Sequence, residues 1–267
     1  MNTIYSALIR QLHDYAKNNQ YQSAVIGLSG GLDSAVALCL AARAFGPQNV
    51  TSLILPEVGL TPNDDIEQAK MIAQHLGSPT HYQPINNLLV DFNFVTWEKS
   101  EEANQNLKAH ARSLLLRHYA TSKNALFIGT PNKSDLTIGY GSRFGEFAGD
   151  IFLLGDLFKS DIKELAIEIG LPDELIKKPS SRWLKPHQSD AADLGAPWAK
   201  IDDVIRQLLD DVDQDFMIEK GMDSLIIHKI TRMIQQSEYK LSPTPIMQAG
   251  NIKDAINKAR EAEELSY

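Results

Sequence analysis

Residues Ile26 to Ser34 read Ile-Gly-Leu-Ser-Gly-Gly-Leu-Asp-Ser, an apolar run that breaks into adjacent glycines and then into a helical pattern. That order suits anion binding. Adjacent glycines let the backbone approach an anion because no Cβ stands in the way. A helix beginning at Ser34 aims its free N–H groups and positive dipole end at the same spot. The hydroxyls of Ser29 and Ser34 add donors. No Lys-Ser/Thr pair follows the glycines, so the turn is not a Walker loop, and the glycine spacing is not that of the dinucleotide fingerprint. Asp33 narrows the chemistry. A carboxylate beside a phosphate cradle is repulsive unless a cation lies between them, which points to Mg²⁺. Asp is also a favoured helix cap, and spacing alone leaves both readings open.

The elements that must hold this turn are legible as alternation. Short apolar runs at Ala24–Leu28, Val50–Leu55, His81–Ile85 and Ala125–Ile128 read as strands, and Ser34–Phe45, Asp64–Leu76 and Asn106–Ala120 between them read as helices. Strands separated by such helices predict βαβ units: an α/β fold with a doubly wound open parallel sheet. After Lys159 helical patterns dominate, at Ser160–Ile169, Ile201–Val212, Leu225–Ile234 and Asn251–Glu264. We read one domain over residues 1–267, with residues 200–267 as a helical C-terminal extension packed on the sheet. The helix from Asn106 carries Leu107, Ala111, Leu114, Leu115 and His118 on one stripe. Lys108 and Arg112 lie on another, which reads as a solvated basic edge.

Composition excludes several classes. The 267 residues carry 26 Lys+Arg against 34 Asp+Glu, a net charge of −8, which argues against a protein that coats nucleic acid. No apolar stretch approaches the roughly 20 residues of a membrane span, and Met1–Asp14 lacks the layout of a signal peptide. The single cysteine, Cys39, precludes an internal disulfide and suits a reducing cytoplasmic setting. Its neighbours Ala35 to Ala41 read as a buried helix face, with Cys39 a small hydrophobe. His75, His81, His118, His187 and His228 show no metal-ligand spacing.

The strand followed by Ser-Gly-Gly-x-Asp-Ser resembles the signature of the ATP pyrophosphatase superfamily, whose members cleave ATP between the α- and β-phosphates. Its tRNA-thiolating members generally carry sulfur on cysteines, which a single helical cysteine disfavours. Further motifs are similar to the NAD synthetase family: Asn106-Leu107-Lys108-Ala109, Ile128-Gly129-Thr130-Pro131-Asn132-Lys133-Ser134-Asp135, Gly139-Tyr140, Phe144-Gly145-Glu146, Asp150-Ile151, Gly155-Asp156-Leu157-Phe158-Lys159, Lys178-Pro179-Ser180-Ser181, Gln188-Ser189-Asp190, Asp193-Leu194-Gly195 and Ile201-Asp202. They occur in the family's order over about Ser23 to Pro245.

The resemblance implies an adenine nucleotide alpha hydrolase-like fold and the ATP- and Mg²⁺-dependent amidation of deamido-NAD to NAD by ammonia, through an acyl-adenylate, releasing AMP and pyrophosphate. It implies ATP contacts from Gly27, Leu28, Ser29, Gly30, Gly31, Leu32, Asp33 and Ser34, with Thr130, Lys159 and Ser180. Asp33, Thr130 and Lys159 are the implied catalytic residues, and Asp33 with Asp135 the implied metal ligands. It places deamido-NAD against His110, Arg143, Asp150, Tyr239 and Lys240, and it implies a homodimer. At 267 residues the resemblance implies the shorter family type, without the glutamine-hydrolysing domain, with ammonia expected from solution or from a partner glutaminase.

The chain departs from the family pattern mainly on the acceptor side. His110 stands for an Arg, Arg143 for a Lys, Glu146 for an Asp, and Tyr239-Lys240-Leu241 for His-Lys-Arg; Pro131 also follows Gly-Thr where smaller or acidic residues are usual. Departures at those positions also fit a paralogous amide ligase that adenylates a different carboxylate in a dedicated pathway.

Overall fold

Chain order in the computed structural model, which describes residues 3–247, begins α1 (Thr3–Asn18), β1 (Ala24–Gly27), α2 (Leu32–Phe45), β2 (Val50–Ile54), α3 (Asn63–Leu76), β3 (Thr80–Tyr82) and α4 (Asn86–Val90). It continues through α5 (Glu101–Lys123), β4 (Leu126–Asn132), α6 (Lys133–Ile138), β5 (Ile151–Leu154) and α7 (Lys159–Glu168). The helices α8 (Asp173–Lys177), α9 (Asp190–Leu194), α10 (Trp198–Leu209), α11 (Gln214–Glu219) and α12 (Ser224–Leu241) complete it. The five strands pair in the order β3-β2-β1-β4-β5, all parallel.

Side chains alternate across the sheet, and each set finds its own helices. Ala24, Ile26, Val50, Ile54, Leu126 and Ile128 face a core shared with α1, α2, α3 and α7, whereas Val25, Leu53 and Phe127 face α5 through Ala111, Leu116 and Ala120. Both faces are therefore covered, as a parallel sheet requires. Helix α2 lies deepest: Ala35, Val36, Ala37, Leu38, Leu40 and Ala41 are all fully buried. An apolar surface all round a helix makes sense only in that position. A second core lies under α10–α12, where Ile201, Val204, Ile205, Ile227 and Ile230 pack on Ile138 and Phe158.

Several boundaries differ from the sequence reading. Helix α2 begins at Leu32 rather than Ser34. The third strand sits at Thr80–Tyr82, ahead of the predicted run, because Pro84 cannot supply a ladder donor. The fifth strand, Ile151–Leu154, is absent from the sequence reading; four residues at a sheet edge give too little alternation to detect. Helix α1 has no counterpart there either, though Leu12 and Ala16 are buried from it. Helix α10 ends at Leu209, leaving Val212 beyond it, and Leu209 is exposed. The helix read at Asn251–Glu264 lies outside the described residues. In β4, pairing to β1 stops at Ile128, and register with β5 shifts between Gly129 and Asn132. Pro131 falls in that irregular stretch, where its missing donor costs nothing.

The predicted faces of α5 are corrected as well. Leu114 and His118 are exposed, while Ala109, Ala111, Ser113, Leu116 and Ala120 are buried. The basic edge turns inward: Lys108 pairs with Glu57 at 2.8 Å and donates to the Leu184 carbonyl, and Arg112 Nε donates to the Leu55 carbonyl at 3.0 Å. Helical periodicity marks an amphipathic helix, but on a helix whose polar and apolar residues are interleaved on most faces it does not say which face meets the sheet.

Candidate active site

The strand order reverses between β1 and β4, so the loops leaving their carboxyl ends diverge and open a crevice. The glycine turn sits at this point. Gly30 has φ +78°, and a Cβ there would collide with the Asp65 carbonyl of α3, so only glycine fits. Gly31 caps α2 without a side-chain bond, which leaves the first-turn N–H groups of the helix to the cradle. Ser29 and Ser34 serve the turn itself. Ser29 Oγ accepts from Gly31 N–H at 3.2 Å, and Ser34 Oγ donates to the Gly31 carbonyl at 3.0 Å.

Asp33 lies in the first turn of α2, and its carboxylate caps no helix. Lys159 Nζ, from the first residue of α7, approaches Asp33 Oδ2 at 2.5 Å, and Asn132 Nδ2 donates to the same oxygen at 3.2 Å. Asp33 Oδ1 is buried with no hydrogen-bond partner. An unpaired buried carboxylate oxygen is costly, and it resolves the open choice at Asp33 against a capping role.

Asp135 enters from the turn after β4. Asn132 Oδ1 accepts from Asp135 N–H and the Asp135 carboxylate accepts from Asn132 N–H, a reciprocal cap of α6. Burial pushes the Asp135 carboxyl up to about 8; Lys159 opposes the rise, while Asp33 and Asp190 add to it. Burial alone would lower the Lys159 pKa, yet Asp33 and Asp135 hold it above its ordinary value. Around this pocket the carboxyl groups of Asp33, Asp135, Glu146 and Asp190 outnumber the cations Lys159 and Arg182.

Asp33, Thr130, Asp135, Lys159 and Ser180, drawn from five places in the sequence, line one cavity of about 170 Å³. It adjoins a second, of about 270 Å³, walled by Gly27 to Ser29, Leu53, Ile54, Leu55, Arg112 and Trp183. Asp33, Thr130, Glu146, Ser181 and Arg182 line both. Gly30, Gly31 and Leu32 line neither cavity, and Leu32 is buried in the core.

On the far side of α5, a third cavity of about 780 Å³ collects His110, Arg143 and Lys240 beside Phe92, Phe144, Phe147 and Phe152. Lys240 Nζ is held by the carbonyls of Gly139 and Gly141 at 2.7 and 2.8 Å, and Arg143 donates to the Ser242 carbonyl at 2.6 Å. The other two residues expected there are placed differently. The Asp150 carboxylate accepts from Arg117 at 2.7 Å and from Phe127 N–H at 2.9 Å, tying β5 to β4; Tyr239 is exposed and does not line the cavity.

Three residues at the site carry no role in the sequence analysis, although Tyr140 stands there within the Gly139-Tyr140 motif. Arg182 pairs with Glu146, Trp183 Nε1 donates to Asp65 at 2.7 Å, and Tyr140 OH donates to Asp193 at 2.9 Å. Burial, with Asp190 nearby, pushes the Tyr140 hydroxyl well above its ordinary pKa, so it serves as a donor. Arg182 and Trp183 follow a quoted motif directly, but nothing in a loop's sequence says which cavity it crosses.

Among the described residues, no three His, Cys, Asp or Glu side chains cluster closely enough to hold a metal by themselves, and no helix is long and apolar enough to cross a membrane.

Comparison with known proteins places this geometry. The NAD synthase family model matches residues 4–244. The chain is 35% identical over 224 residues to the NH3-dependent NAD(+) synthetase of Archaeoglobus fulgidus, covering 83% of this chain and 87% of that protein. Among solved structures it resembles NMN synthetase from Francisella tularensis, with a TM-score of 0.80, 29% identity, and coverage of 91% of this chain and 98% of that one. It also resembles the NH3-dependent NAD synthetase from Campylobacter jejuni, with a TM-score of 0.78, 28% identity, and coverage of 93% and 100%. A glycine turn, two carboxylates and a buried lysine at the β1/β4 crevice are thus accompanied by similarity along nearly the whole described chain, and the chain belongs to the NAD synthase family.

Proposed function

We propose that the chain amidates deamido-NAD with ammonia at the expense of ATP, forming NAD, AMP and pyrophosphate, and that it does so as a single domain. The observation that carries this reading is the convergence of Asp33, Thr130, Asp135, Lys159 and Ser180 in one cavity beside the glycine turn. The 270 Å³ cavity takes the nucleoside against Leu53, Ile54 and Leu55, and the turn with the first N–H groups of α2 takes the β- and γ-phosphates.

The residues present fit Mg²⁺. Asp33 Oδ1 is buried and unpartnered, and Asp33 and Asp135 line the same cavity. Asp33 and Asp135 would hold the ion together with phosphate oxygens and water. When bound, it neutralises charge on the triphosphate and favours departure of pyrophosphate.

Lys159 stays protonated and is held in place through Asp33, ready to balance charge building on the leaving pyrophosphate. The acceptor carboxylate attacks the α-phosphorus to give the acyl-adenylate, and ammonia then displaces AMP. No side chain need act as covalent nucleophile, so the rate rests on positioning and charge. The acceptor lies in the cavity of His110, Arg143 and Lys240, where the Arg143 and Lys240 cations suit an anionic dinucleotide. We further propose a homodimer in the cytoplasm, from the family resemblance and the single, unbridged Cys39.

Purified protein supplied with deamido-NAD, MgATP and ammonium should yield NAD and AMP in equal amounts. AMP formed only with some other acid would reject this acceptor. Nicotinate mononucleotide, the acid whose amide is NMN, belongs in the same experiment because one of the similar solved structures is an NMN synthetase. A larger kcat/KM for the mononucleotide would reassign the acceptor and leave the ATP chemistry standing.

A further inference from the structure

Arg182 stands where the two ATP-side cavities join. It lines both the 270 Å³ cavity assigned to the nucleoside and the 170 Å³ cavity that holds Asp33, Asp135 and Lys159. A nucleotide with its base in the first and its terminal phosphates at the second must pass its α-phosphate through that junction. The guanidinium lies over the Tyr140 ring, 4.8 Å from its centroid, and Nε donates to Glu146 Oε1 at 2.9 Å. Nη2 donates to that same oxygen. A guanidinium has five donors in a fixed fork, and here two of its nitrogens converge on one carboxylate oxygen. The other oxygen, Glu146 Oε2, is already satisfied by the N–H and hydroxyl of Ser142, at 3.0 and 2.7 Å. Glu146 thus keeps partners of its own if Arg182 turns away. Arginine is also the side chain best matched to phosphate oxygens.

We propose that Arg182 is a phosphate-binding residue that gives up Glu146 for an oxygen of the α-phosphate when ATP binds. The inference rests on the nucleotide assignment made under Proposed function and adds a residue to it. In adenylate formation an acceptor carboxylate oxygen bonds to the α-phosphorus as the bond to the bridging oxygen breaks, and that electron pair leaves on pyrophosphate. Lys159 lies on the leaving side with Asp33. Arg182 supplies the cation for the non-bridging α-phosphate oxygens, which remain on the adenylate, so it holds the nucleotide through both half-reactions.

Calorimetric titration with MgATP and, separately, adenosine tests this on the wild type, Arg182→Met, Arg182→Lys and Glu146→Gln. Loss of a charge-assisted contact predicts that Arg182→Met weakens ATP binding about 10- to 100-fold while adenosine binding stays within about twofold. Arg182→Lys should fall between, because a lysine keeps the charge without the fork. Glu146→Gln should preserve or tighten ATP binding, because a competing anion is gone. Equal losses for ATP and adenosine in Arg182→Met, or weaker ATP binding in Glu146→Gln, would show that the ion pair only braces the loop and would overturn the proposal. If Arg182→Met does not fold, the Lys and Gln variants decide alone, by the same two comparisons. Wild-type protein that binds no ATP would remove the nucleotide assignment itself, whereas ATP binding indifferent to Arg182 would remove only this residue's role.

Discussion

Asp202 touches neither ATP-side cavity, yet the structure makes it the fastening point of the site. It sits on α10, fully buried, and its two oxygens divide between two helix starts. Oδ1 accepts from the Ser134 hydroxyl of α6 at 2.5 Å, and Oδ2 accepts from Ser160 N–H of α7 at 2.8 Å. Ser134 Oγ in turn accepts from Lys159 N–H at 2.9 Å. One carboxylate therefore sets the ends of the helices that carry Asp135 and Lys159. Hydrogen bonds to a charged group contribute about 1.5–3 kcal/mol each, so Asp202→Ala should cost about 3–6 kcal/mol, against a total stability of about 5–15 kcal/mol. Asp202→Asn keeps one acceptor and should cost about half as much. Urea unfolding gives the stability change directly. For the Asn variant, steady-state kinetics should show kcat reduced about tenfold or more, with KM for ammonium unchanged, because the displaced groups act on ATP. Losses below about 0.5 kcal/mol in both variants would refute the account, as would a normal kcat in a destabilised Asn variant.

Four other outcomes are expected. Asp33→Ala and Asp135→Ala should each abolish measurable turnover while circular dichroism shows the fold retained, since each removes an implied metal ligand rather than a core contact. Gly30→Ala should eliminate ATP binding by calorimetry and destabilise the protein by about 1–2 kcal/mol or more, because φ +78° and the Asp65 carbonyl both exclude a Cβ. Lys240→Ala should raise KM for the acceptor more than KM for ATP, because its ammonium holds the Gly139 and Gly141 carbonyls beside the third cavity; equal rises would detach it from the acceptor. Burial raises the Cys39 thiol from 9.0 to about 11, with Arg43 opposing. The unfolded thiol therefore ionises first, and this group's contribution to stability is lost as pH rises from about 9 to 11. Thiol labelling of native protein at pH 8 should be slow and should accelerate sharply in denaturant.

Local chemistry was legible in the sequence. The glycine turn, Asp33 and the strand–turn–helix context are contiguous, and adjacency along the chain imposes adjacency in space. The three central strands could be read because each is a compact apolar run between helical patterns, buried on both faces, whereas the exposed edge strand β3 was matched only in part. Residues distant in sequence entered through family resemblance instead. Thr130, Asp135, Lys159 and Ser180 show nothing individually that marks them as a set.

Side-chain direction was decided by the tertiary structure. Lys108 and Arg112 read as a solvated edge until the sheet is placed against α5, and Asp33 reads equally as a cap until Lys159 and Asn132 approach from other elements. Asp150 carries a family motif but is taken up by Arg117 and Phe127. Arg182 and Asp202 gain their importance only from what surrounds them. The physical reason is the range of the forces involved. Helical and strand periodicity, turns and glycine conformations depend on neighbours along the chain, whereas burial, ion pairing and unsatisfied oxygens depend on groups brought within a few ångströms from anywhere in it.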